Sequence, residues 1–444
     1  MFKKKWFRNL VIVVGALVLI WVLCFIANLL ANRSLRKYID SFEPVKYDAQ
    51  RVVPVKEDGY MTITTDEDLR IMHLTDIHIG GGFLSYKNDK KTIYEVITML
   101  QKEAPDIVVL GGDNTYCLPK PGFNGGNNGN NIDVTKTFIH IFEHEEVYYT
   151  TVFGNHDSES VAYASRDKIG ELYMSSDNKY CFFEQNFSDR DAETVPSVTN
   201  QIVVIKNTDG KIRKLLLLID SNAYEDTSFL ATVFGKYDVI HDAQIEWAKG
   251  AVKDLSEKEG LEDGEYLKAL CFMHIPFGEY KVALDELFTE VTDEKGNIIA
   301  YVQNENHNDT EFIGGVWDEK ICYGGSKQKD QSSIKDLDNF FEEMCLNNNI
   351  VEAVLCGHDH VNNGVVRYKG VYLGYGFSVD NEAYGNKIME SGQQRGATVV
   401  TLSPDGTFTE QHKNAYLDYG CETDKFTEVY LDHPLYEDSL RTIE

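Results

Sequence analysis

Five short clusters of His, Asp and Asn lie along the chain, each directly after an apolar segment. They are Asp76-Ile77-His78, Gly111-Gly112-Asp113, Gly154-Asn155-His156-Asp157, His274, and Gly357-His358-Asp359-His360. Imidazole nitrogens combined with carboxylate and amide oxygens suit borderline first-row ions such as Mn, Fe or Zn, and not calcium. Each cluster alone also fits a structural role, such as a buried His or a turn Asp. Their joint occurrence predicts a metal site.

The apolar segments that carry these clusters have the length and composition of buried β-strands. The predicted strands cover residues 69–74, 107–110, 147–152, 215–219, 269–273 and 351–355. Helical apolar spacing lies between them, in the segments 93–100, 134–142, 243–255 and 334–346. This alternation predicts an α/β architecture, and such folds place their sites at the carboxyl ends of strands. We expect Asp76 and His78, two apart on an extended segment, to point the same way.

The order of these motifs resembles the calcineurin-like metallophosphoesterases over residues 69–405. The segments 112–114 (Gly-Asp-Asn), 274–280 (His-Ile-Pro-Phe-Gly-Glu-Tyr) and 357–362 (Gly-His-Asp-His-Val-Asn) are similar to a branch related to purple acid phosphatases. The resemblance implies a four-layer α/β sandwich of the α+β type, in which two facing mixed β-sheets are flanked by helices. It also implies a dinuclear centre of divalent or mixed-valence ions.

The resemblance implies two ligand sets that share Asp113 as a bridge. One ion would be held by Asp76, His78, Asp113 and His360. The other would be held by Asp113, Asn155, His274 and His358. True purple acid phosphatases lack the first-motif His and use a Tyr three residues after the bridging Asp. This chain has both His78 and Tyr116, and we predict that His78 is the ligand while Tyr116 packs behind it.

Two metal ions at such a centre would activate a water, so the expected reaction is attack of metal-bound hydroxide on a phosphate monoester. We predict that His156 lies beside the phosphate and stabilises charge or protonates the leaving group, with Asp157 orienting it. Asn114, Glu279 and Tyr280 are candidate substrate contacts. The alternative is a phosphodiesterase with a small phosphodiester or nucleotide substrate. The third hypothesis is a non-catalytic metal-binding scaffold.

The N-terminal segment is typical of a membrane anchor. Residues 1–9 are basic, with Lys3, Lys4, Lys5 and Arg8, and residues 10–31 are apolar over about 30 Å of helix. A cleaved signal peptide and a buried helix are the alternatives. The excess of positive charge before the helix predicts a single-pass protein with a cytoplasmic N-terminus. The catalytic domain would then be extracytoplasmic, and the lipid bilayer would be a partner.

The rest of the chain divides into a spacer (32–65), the phosphoesterase domain (66–420) and an acidic tail (421–444). A stretch without clear periodicity, about 281–331, is predicted to be an insertion that forms a pocket wall together with the loop 117–131. The formal net charge of −28 argues against binding to a nucleic-acid polymer. Eight cysteines without a Cys-x-x-Cys pair indicate neither a disulfide framework nor a zinc ribbon. The oligomeric state, the substrate and the metal stay open.

Overall fold

Sixteen strands and seven helices lie in the residues that the computed structural model describes, which are 2–48, 51–117, 128–158, 162–185, 197–224, 237–295, 298–304, 309–315, 338–360, 362–383 and 395–421. The strands are β1 Val55–Glu57, β2 Tyr60–Thr64, β3 Leu69–Leu74, β4 Ile107–Gly111, β5 Tyr148–Val152, β6 Gln201–Lys206, β7 Ile212–Leu218, β8 Ala269–Phe272, β9 Phe288–Thr292, β10 Ile298–Gln303, β11 Thr310–Gly314, β12 Val351–Cys356, β13 Val365–Tyr368, β14 Val371–Tyr375, β15 Gly396–Leu402 and β16 Phe408–Asn414. The helices are α1 Phe2–Ile39, α2 Tyr86–Glu103, α3 Asn131–His144, α4 Arg166–Tyr173, α5 Asp242–Lys258, α6 Glu279–Leu287 and a π-helix, Phe341–Asn347.

Two mixed sheets position the motifs. One has the strand order β16-β15-β3-β4-β5, and the other has the order β1-β2-β6-β7-β8-β12-β14-β13-β11. Strands β3, β4 and β5 are parallel, with Leu74 paired to Leu110 and Leu110 to Thr151. Strands β7, β8, β12 and β14 are also parallel to one another. Because parallel neighbours end at the same edge, the segments that follow them meet there.

Alternating side chains bind these layers together. Ile71 of β3 lies in the apolar core between the two sheets, and its neighbour Met72 lies in the core beneath α1, α2 and α3. A third core fills the space between the nine-stranded sheet and the helices α5, α6 and Phe341–Asn347. The alternation follows from strand geometry, which sends successive side chains to opposite faces. The predicted sandwich of two mixed sheets flanked by helices is confirmed.

Most of the described residues between 32 and 65 belong to regular elements or to the core, which differs from the predicted polar spacer. Helix α1 continues to Ile39, and Leu35 and Ile39 are wholly buried in the core shared with α2 and α3. Strand β2 pairs with β6 in the nine-stranded sheet, and its Met61 and Ile63 enter the core between the sheets. The sequence of this segment contains few apolar residues. They can be identified as core residues only from the structure, which shows the elements that cover them.

The stretch around 281–331 is also more regular than its sequence indicated. Its described parts contain the end of α6 and the strands β9, β10 and β11, and β11 pairs with β13 at the sheet edge. Residues 316–337 lie outside the described part, as do 118–127 of the predicted pocket-wall loop and 422–444 of the predicted tail. The predicted helix 334–346 corresponds to the shorter π-helix Phe341–Asn347.

Within the described residues, one helix is long and apolar enough to cross a membrane. This is the part of α1 from Lys5 to Ile39, and none of its most apolar stretch is buried against the domain. Large apolar side chains from Trp6 to Leu23 face outward. A transmembrane helix and a signal sequence both have this length and composition.

Candidate metal centre

The predicted metal ligands converge at the shared edge of the two sheets. Ligand atoms of Asp76, His78, Asp113 and His360 lie within 4.8 Å of one another. A second group is formed by Asp113, His274 and His358, also within 4.8 Å. The two groups share Asp113, which follows the carboxyl end of β4. Four protein ligand atoms at this spacing suit a transition-metal ion, and the shared carboxylate would bridge two such ions.

Asp113 lies at the centre of the cluster and faces two histidines. Its Oδ2 is 3.2 Å from Nε2 of His78 and 3.2 Å from Nε2 of His274. Its Oδ1 accepts a hydrogen bond of 2.7 Å from the backbone N–H of His156. Burial alone would raise the pKa of Asp113, but the charges of His274 and His156 outweigh it and hold this pKa well below its usual value. Asp113 is therefore a carboxylate, which is the form that binds metal.

A hydrogen bond to the backbone determines which ring nitrogen of His274 would face a metal ion. Its Nδ1 lies 2.9 Å from the carbonyl oxygen of Gly111, which can only accept a hydrogen bond. This hydrogen bond keeps a proton on Nδ1, so Nε2 is the nitrogen that would bind a metal ion. This is the usual arrangement for a histidine ligand, in which the second ring nitrogen is held by a hydrogen bond.

Asp76 and His360 form the opposite side of the centre. Nε2 of His360 lies 3.1 Å from Oδ1 of Asp76, and Nδ1 of His360 lies 3.2 Å from Oδ2 of Asp380. The backbone N–H of His358 donates to Oδ2 of Asp76 at 3.0 Å. Asp380 was not predicted from the sequence, although it follows the apolar strand β14 as the other motifs follow theirs.

Several ligands have left-handed backbone conformations. The φ angles are 52° at Asp76, 54° at His78, 50° at Asp113 and 76° at His358. Side chains other than glycine rarely adopt this conformation, and such residues concentrate at functional sites. The expectation that Asp76 and His78 share an extended segment is therefore wrong. Their backbones turn because the N–H groups of both donate to the loop after β4, at Gly112 and Asp113.

Two glycines are required by the close approach of ligands. A Cβ at Gly154 would lie 2.1 Å from Oδ1 of Asp113, and a Cβ at Gly357 would lie 2.5 Å from Oδ2 of Asp76. Neither position could accept a larger residue without displacing a ligand. Space for the carboxylates, and not turn formation alone, explains these two glycines.

Asn155, the remaining predicted ligand, lies between Gly154 and His156, which both approach Asp113. It is wholly buried, and its Oδ1 has no hydrogen-bond partner within the described residues. Its Nδ2 lies 3.4 Å from the hydroxyl of Tyr224. A buried amide oxygen without a partner costs free energy unless something binds it. The shared carboxylate, the oriented imidazoles and this free oxygen together fit a pair of borderline metal ions.

His156 lies at the rim of the cluster and is partly exposed. Its ring centroid is 5.3 Å from that of His78 and 4.8 Å from that of Tyr116. Tyr116 is buried and also packs against His78, with centroids 4.9 Å apart. Tyr116 thus lies against the rings of the site. His156 is the side chain of this trio that solvent reaches.

The predicted partner of His156 has a different set of contacts. Asp157 is buried, and its carboxylate accepts hydrogen bonds from the backbone N–H groups of Gly154 (2.8 Å), Asn114 (2.9 Å) and Thr115 (3.1 Å). These bonds fasten the loop after β5 to the loop after β4. They favour a role in positioning the loops over the predicted orientation of His156.

The residues predicted to contact the substrate are packed within the fold. Asn114 donates from Nδ2 to Oγ1 of Thr151 at 3.1 Å. Tyr280 is wholly buried beneath the nine-stranded sheet, and its hydroxyl donates to the carbonyl of Val354 at 3.0 Å. Glu279 precedes it on α6, and burial raises the pKa of its carboxyl to about 7. These contacts favour structural roles for Asn114 and Tyr280.

Arg166 is a further residue that the sequence did not reveal. Its guanidinium donates to the carbonyls of Gly154 (2.8 Å) and Phe153 (3.0 Å) and pairs with the buried Asp220 at 2.6 Å. The contact fixes the segment that carries Asn155 and His156. An isolated Arg near a helix start gave no sequence signal for this role.

The fold and the site define a dimetal phosphoesterase. The family model described as "Calcineurin-like phosphoesterase" matches residues 69–362. This match covers more than half of the chain, so the protein belongs to the calcineurin-like phosphoesterase family. The predicted resemblance is thereby confirmed. Members of this family are generally hydrolases, and the Asp and His cluster described above supplies the family's metal ligands.

Curated relatives from Arabidopsis thaliana are similar along most of their length. A probable inactive purple acid phosphatase 14 is 23% identical over 348 residues, which is 73% of this chain and 74% of the relative. A probable inactive purple acid phosphatase 29 is 21% identical over 365 residues, or 77% and 78%. Among solved structures, a dimetal phosphatase from Danio rerio is 11% identical with a TM-score of 0.44, covering 79% of this chain and 97% of that one.

Proposed function

We propose that this protein is a membrane-anchored phosphoesterase that hydrolyses phosphate monoesters with two metal ions. The observation that carries the proposal is that one carboxylate, Asp113, belongs to both ligand groups. A bridged pair of ions, when bound, supplies an activated water and neutralises charge on the phosphate oxygens. Asp76, His78 and His360 would hold one ion. Asn155, His274 and His358 would complete the other.

His156 is the side chain best placed to act on the substrate itself. It lies at the rim of both ligand groups, and its backbone N–H holds the bridging carboxylate of Asp113. An exposed imidazole at this position can donate a hydrogen bond to a phosphate oxygen or a proton to the leaving oxygen. Fixing its backbone to Asp113 aligns the imidazole with the phosphate before the substrate arrives.

The completeness of the centre supports catalysis over a scaffold role. The named Arabidopsis relatives are described as probably inactive. In this chain, however, the six predicted carboxylate and imidazole ligands form two groups that share Asp113, and the ring of His156 lies beside that of His78. The donor set of imidazole, carboxylate and amide fits Mn, Fe or Zn. We propose these ions without a preference among them.

Anchoring in a bilayer is supported by the exposed apolar surface of α1 and by the basic residues before it. Lys5 and Arg8 lie at the start of the helix, and their positive charges favour a cytoplasmic location for this end. The phosphoesterase domain then lies on the opposite side of the membrane. The helix is also part of the folded domain, because Leu35 and Ile39 are buried in its core.

The test uses the full-length chain in detergent, since truncation within α1 would expose that core. The protein is stripped of metal and supplied with Mn, Zn or Fe, and the hydrolysis of p-nitrophenyl phosphate is compared with that of bis-p-nitrophenyl phosphate. Metal-dependent cleavage of the monoester, lost in Asp113→Ala and reduced at retained metal content in His156→Ala, is the expected result. Preference for the diester would replace the monoesterase proposal with a phosphodiesterase. Two bound ions without either activity would indicate a scaffold.

A further inference from the structure

Helix α1 runs parallel to α3, and the order of their contacts shows this. Polar contacts connect Asn28 to Asn128 (3.4 Å), Arg36 to Thr137 (2.8 Å), Asp40 to His140 (2.7 Å) and Phe42 to His144 (3.0 Å). Helix α2 gives the same direction, with Ser34 near its first residue, Tyr86 (2.8 Å), and Glu43 near its end, at Gln101 (2.6 Å). The upstream, apolar part of α1 therefore leaves the domain beside the starts of α2 and α3.

The starts of α2 and α3 lie on the same edge as the metal centre. Each helix connects two parallel strands, α2 between β3 and β4 and α3 between β4 and β5. A crossover helix begins at the carboxyl end of the strand before it. Asp76 and Asp113 follow those same carboxyl ends. The apolar half of α1 consequently projects from the edge of the molecule that holds the metal ligands.

Exposed apolar side chains surround the point where α1 leaves the domain. Phe83 is 41% exposed, Leu84 is 62% exposed and Tyr163 is 59% exposed. The backbone N–H of Phe83 donates to Oδ1 of Asn28 at 3.0 Å, so this pair lies beside the last turn of the predicted membrane span. Tyr163 bonds through its backbone to Gly129, next to the Asn128 that contacts α1. The patch is thus continuous with the membrane-spanning surface.

The loop 80–84, which carries Phe83 and Leu84, is held close to the first metal motif. It begins two residues after His78, and its backbone is held by the buried carboxylate of Asp89. Asp89 accepts from the N–H groups of Gly80 (2.8 Å) and Gly81 (3.0 Å). Asn32 of α1 donates to the carbonyl of Gly81. The loop therefore holds Leu84 and the ligand His78 in a fixed relation.

Charge on the same side suits an anionic lipid surface. The chain carries a net charge of −28, yet Arg33 of α1 and Lys87 at the start of α2 are exposed beside the contact of Ser34 with Tyr86, close to this exit point. Basic residues just beyond a membrane span attract anionic headgroups. Aromatic residues such as Tyr163 favour the same interface.

We propose that the metal centre faces the bilayer that α1 crosses, that Phe83 and Leu84 enter its interface, and that the substrate is the phosphate monoester headgroup of a membrane lipid. The substrate part rests on the proposed phosphoesterase function. In the reaction, water forms a new bond to phosphorus and the bond from phosphorus to the lipid oxygen breaks. The lipid alcohol takes up a proton, and inorganic phosphate is released.

The experiment places a probe and a substrate in the same vesicles. Full-length Leu84→Cys and, as a control, Leu261→Cys are labelled with an environment-sensitive fluorophore and reconstituted in phosphatidylcholine that contains a minor fraction of phosphatidic acid. Leu261 is a suitable control because it is exposed in the turn after α5, on the other sheet. Described native cysteines are buried or half-buried, and the labelled parent protein gives their background. Release of phosphate from phosphatidic acid and from p-nitrophenyl phosphate is measured in parallel.

The inference expects blue-shifted emission and quenching by spin-labelled lipid at position 84 and not at position 261. It also expects hydrolysis of phosphatidic acid, and the ratio of lipid to soluble-ester activity should fall about tenfold in Leu84→Asp, equivalent to ~1.4 kcal/mol. Leu261→Asp should leave that ratio unchanged. The ratio cancels any general loss of activity, so a folding defect does not imitate the effect.

Different failures separate this inference from the function on which it rests. A water-exposed probe at position 84 overturns the orientation whatever the activity. Cleavage of the soluble ester without cleavage of phosphatidic acid overturns the lipid substrate and leaves the phosphoesterase proposal standing. Absence of both activities with every metal overturns the phosphoesterase and the lipid substrate together, and the probe at position 84 then decides the orientation alone.

Discussion

The carboxylate of Asp380 lies 3.2 Å from Nδ1 of His360, on the ring edge opposite the atom that faces Asp76. The other oxygen of Asp380 accepts from the backbone N–H groups of Glu382 (2.6 Å) and Ala383 (2.7 Å), so the carboxylate is fixed in place. Burial would raise the pKa of Asp380, but its hydrogen bond with His360 and the charges of His78 and His360 together outweigh burial and lower that pKa. An ionised Asp380 keeps the proton on Nδ1 and leaves Nε2 free to bind metal.

Replacement of Asp380 by Asn should therefore weaken metal binding without removing a ligand. We expect Asp380→Asn to lower the affinity for one of the two ions by about 10- to 100-fold, because the orientation and basicity of His360 are lost. Calorimetric titration of the metal-stripped protein measures this. Asp338→Asn is the matched control, since Asp338 is a half-buried Asp on the far side of the nine-stranded sheet. Equal loss in both variants would show a general effect of buried charge.

The shared position of Asp113 predicts unequal losses of metal among ligand variants. Asp113→Asn should lose both ions, because this carboxylate belongs to both ligand groups. His358→Ala should lose only the ion on its own side, because His358 belongs to the second group alone. Mass spectrometric metal analysis of the purified proteins distinguishes the two outcomes. If Asp113→Asn kept one ion at full affinity, the carboxylate would not be a bridge.

Strand ends were predictable from the sequence because they combine two strong local signals. Buried strands read as continuous apolar runs, and a Gly or polar residue ends each run abruptly. The predicted strand 69–74 coincides with β3, and the strand 351–355 is one residue shorter than β12. Since the motif residues follow those ends directly, sheet topology brings them together. The ligands His274 and His358 were reached by this reasoning although they are 84 positions apart.

Residue roles that depend on long-range packing could not be predicted from the sequence. Tyr280 was predicted as a substrate contact because it lies close to His274 in sequence, but the chain after β8 turns it into the core. Leu35 and Ile39 lie among polar and basic residues such as Arg33 and Lys37, so this segment was predicted to be a polar spacer, and its burial against α2 depends on partners distant in sequence. Asp380 and Arg166 act through residues distant in sequence. Their roles depend on which loops meet in the folded protein, and the amino-acid composition does not indicate this.

The junction between α1 and the domain predicts a stability effect at Asn32. This side chain is wholly buried, donates to the carbonyl of Gly81 at 2.5 Å and accepts from Oγ1 of Thr137 at 2.8 Å. Asn32→Ala leaves those groups without partners and should destabilise the domain by about 1–3 kcal/mol. Thermal unfolding of the full-length protein in detergent measures the change. Arg33→Ala, at the exposed neighbouring position, should leave Tm nearly unchanged, and similar shifts in both variants would contradict a specific junction.

Glu279 predicts a pH dependence of stability that is independent of metal. Burial, followed by the charge of Asp338, raises the pKa of its carboxyl from 4.5 to about 7 in the folded protein. The folded state therefore binds this proton more tightly than the unfolded state. Its contribution to stability is complete below pH 4.5 and is lost as pH rises through about 7. Glu279→Gln carries a neutral side chain at every pH, so the variant should gain Tm over the parent at pH 8 and lose that advantage near pH 4.5. Calorimetric scans across this range measure the difference, with the exposed Glu262→Gln as the control. A constant Tm difference at all pH values would assign the effect to packing, because only the titration of the carboxyl can make it vary between pH 4.5 and 8.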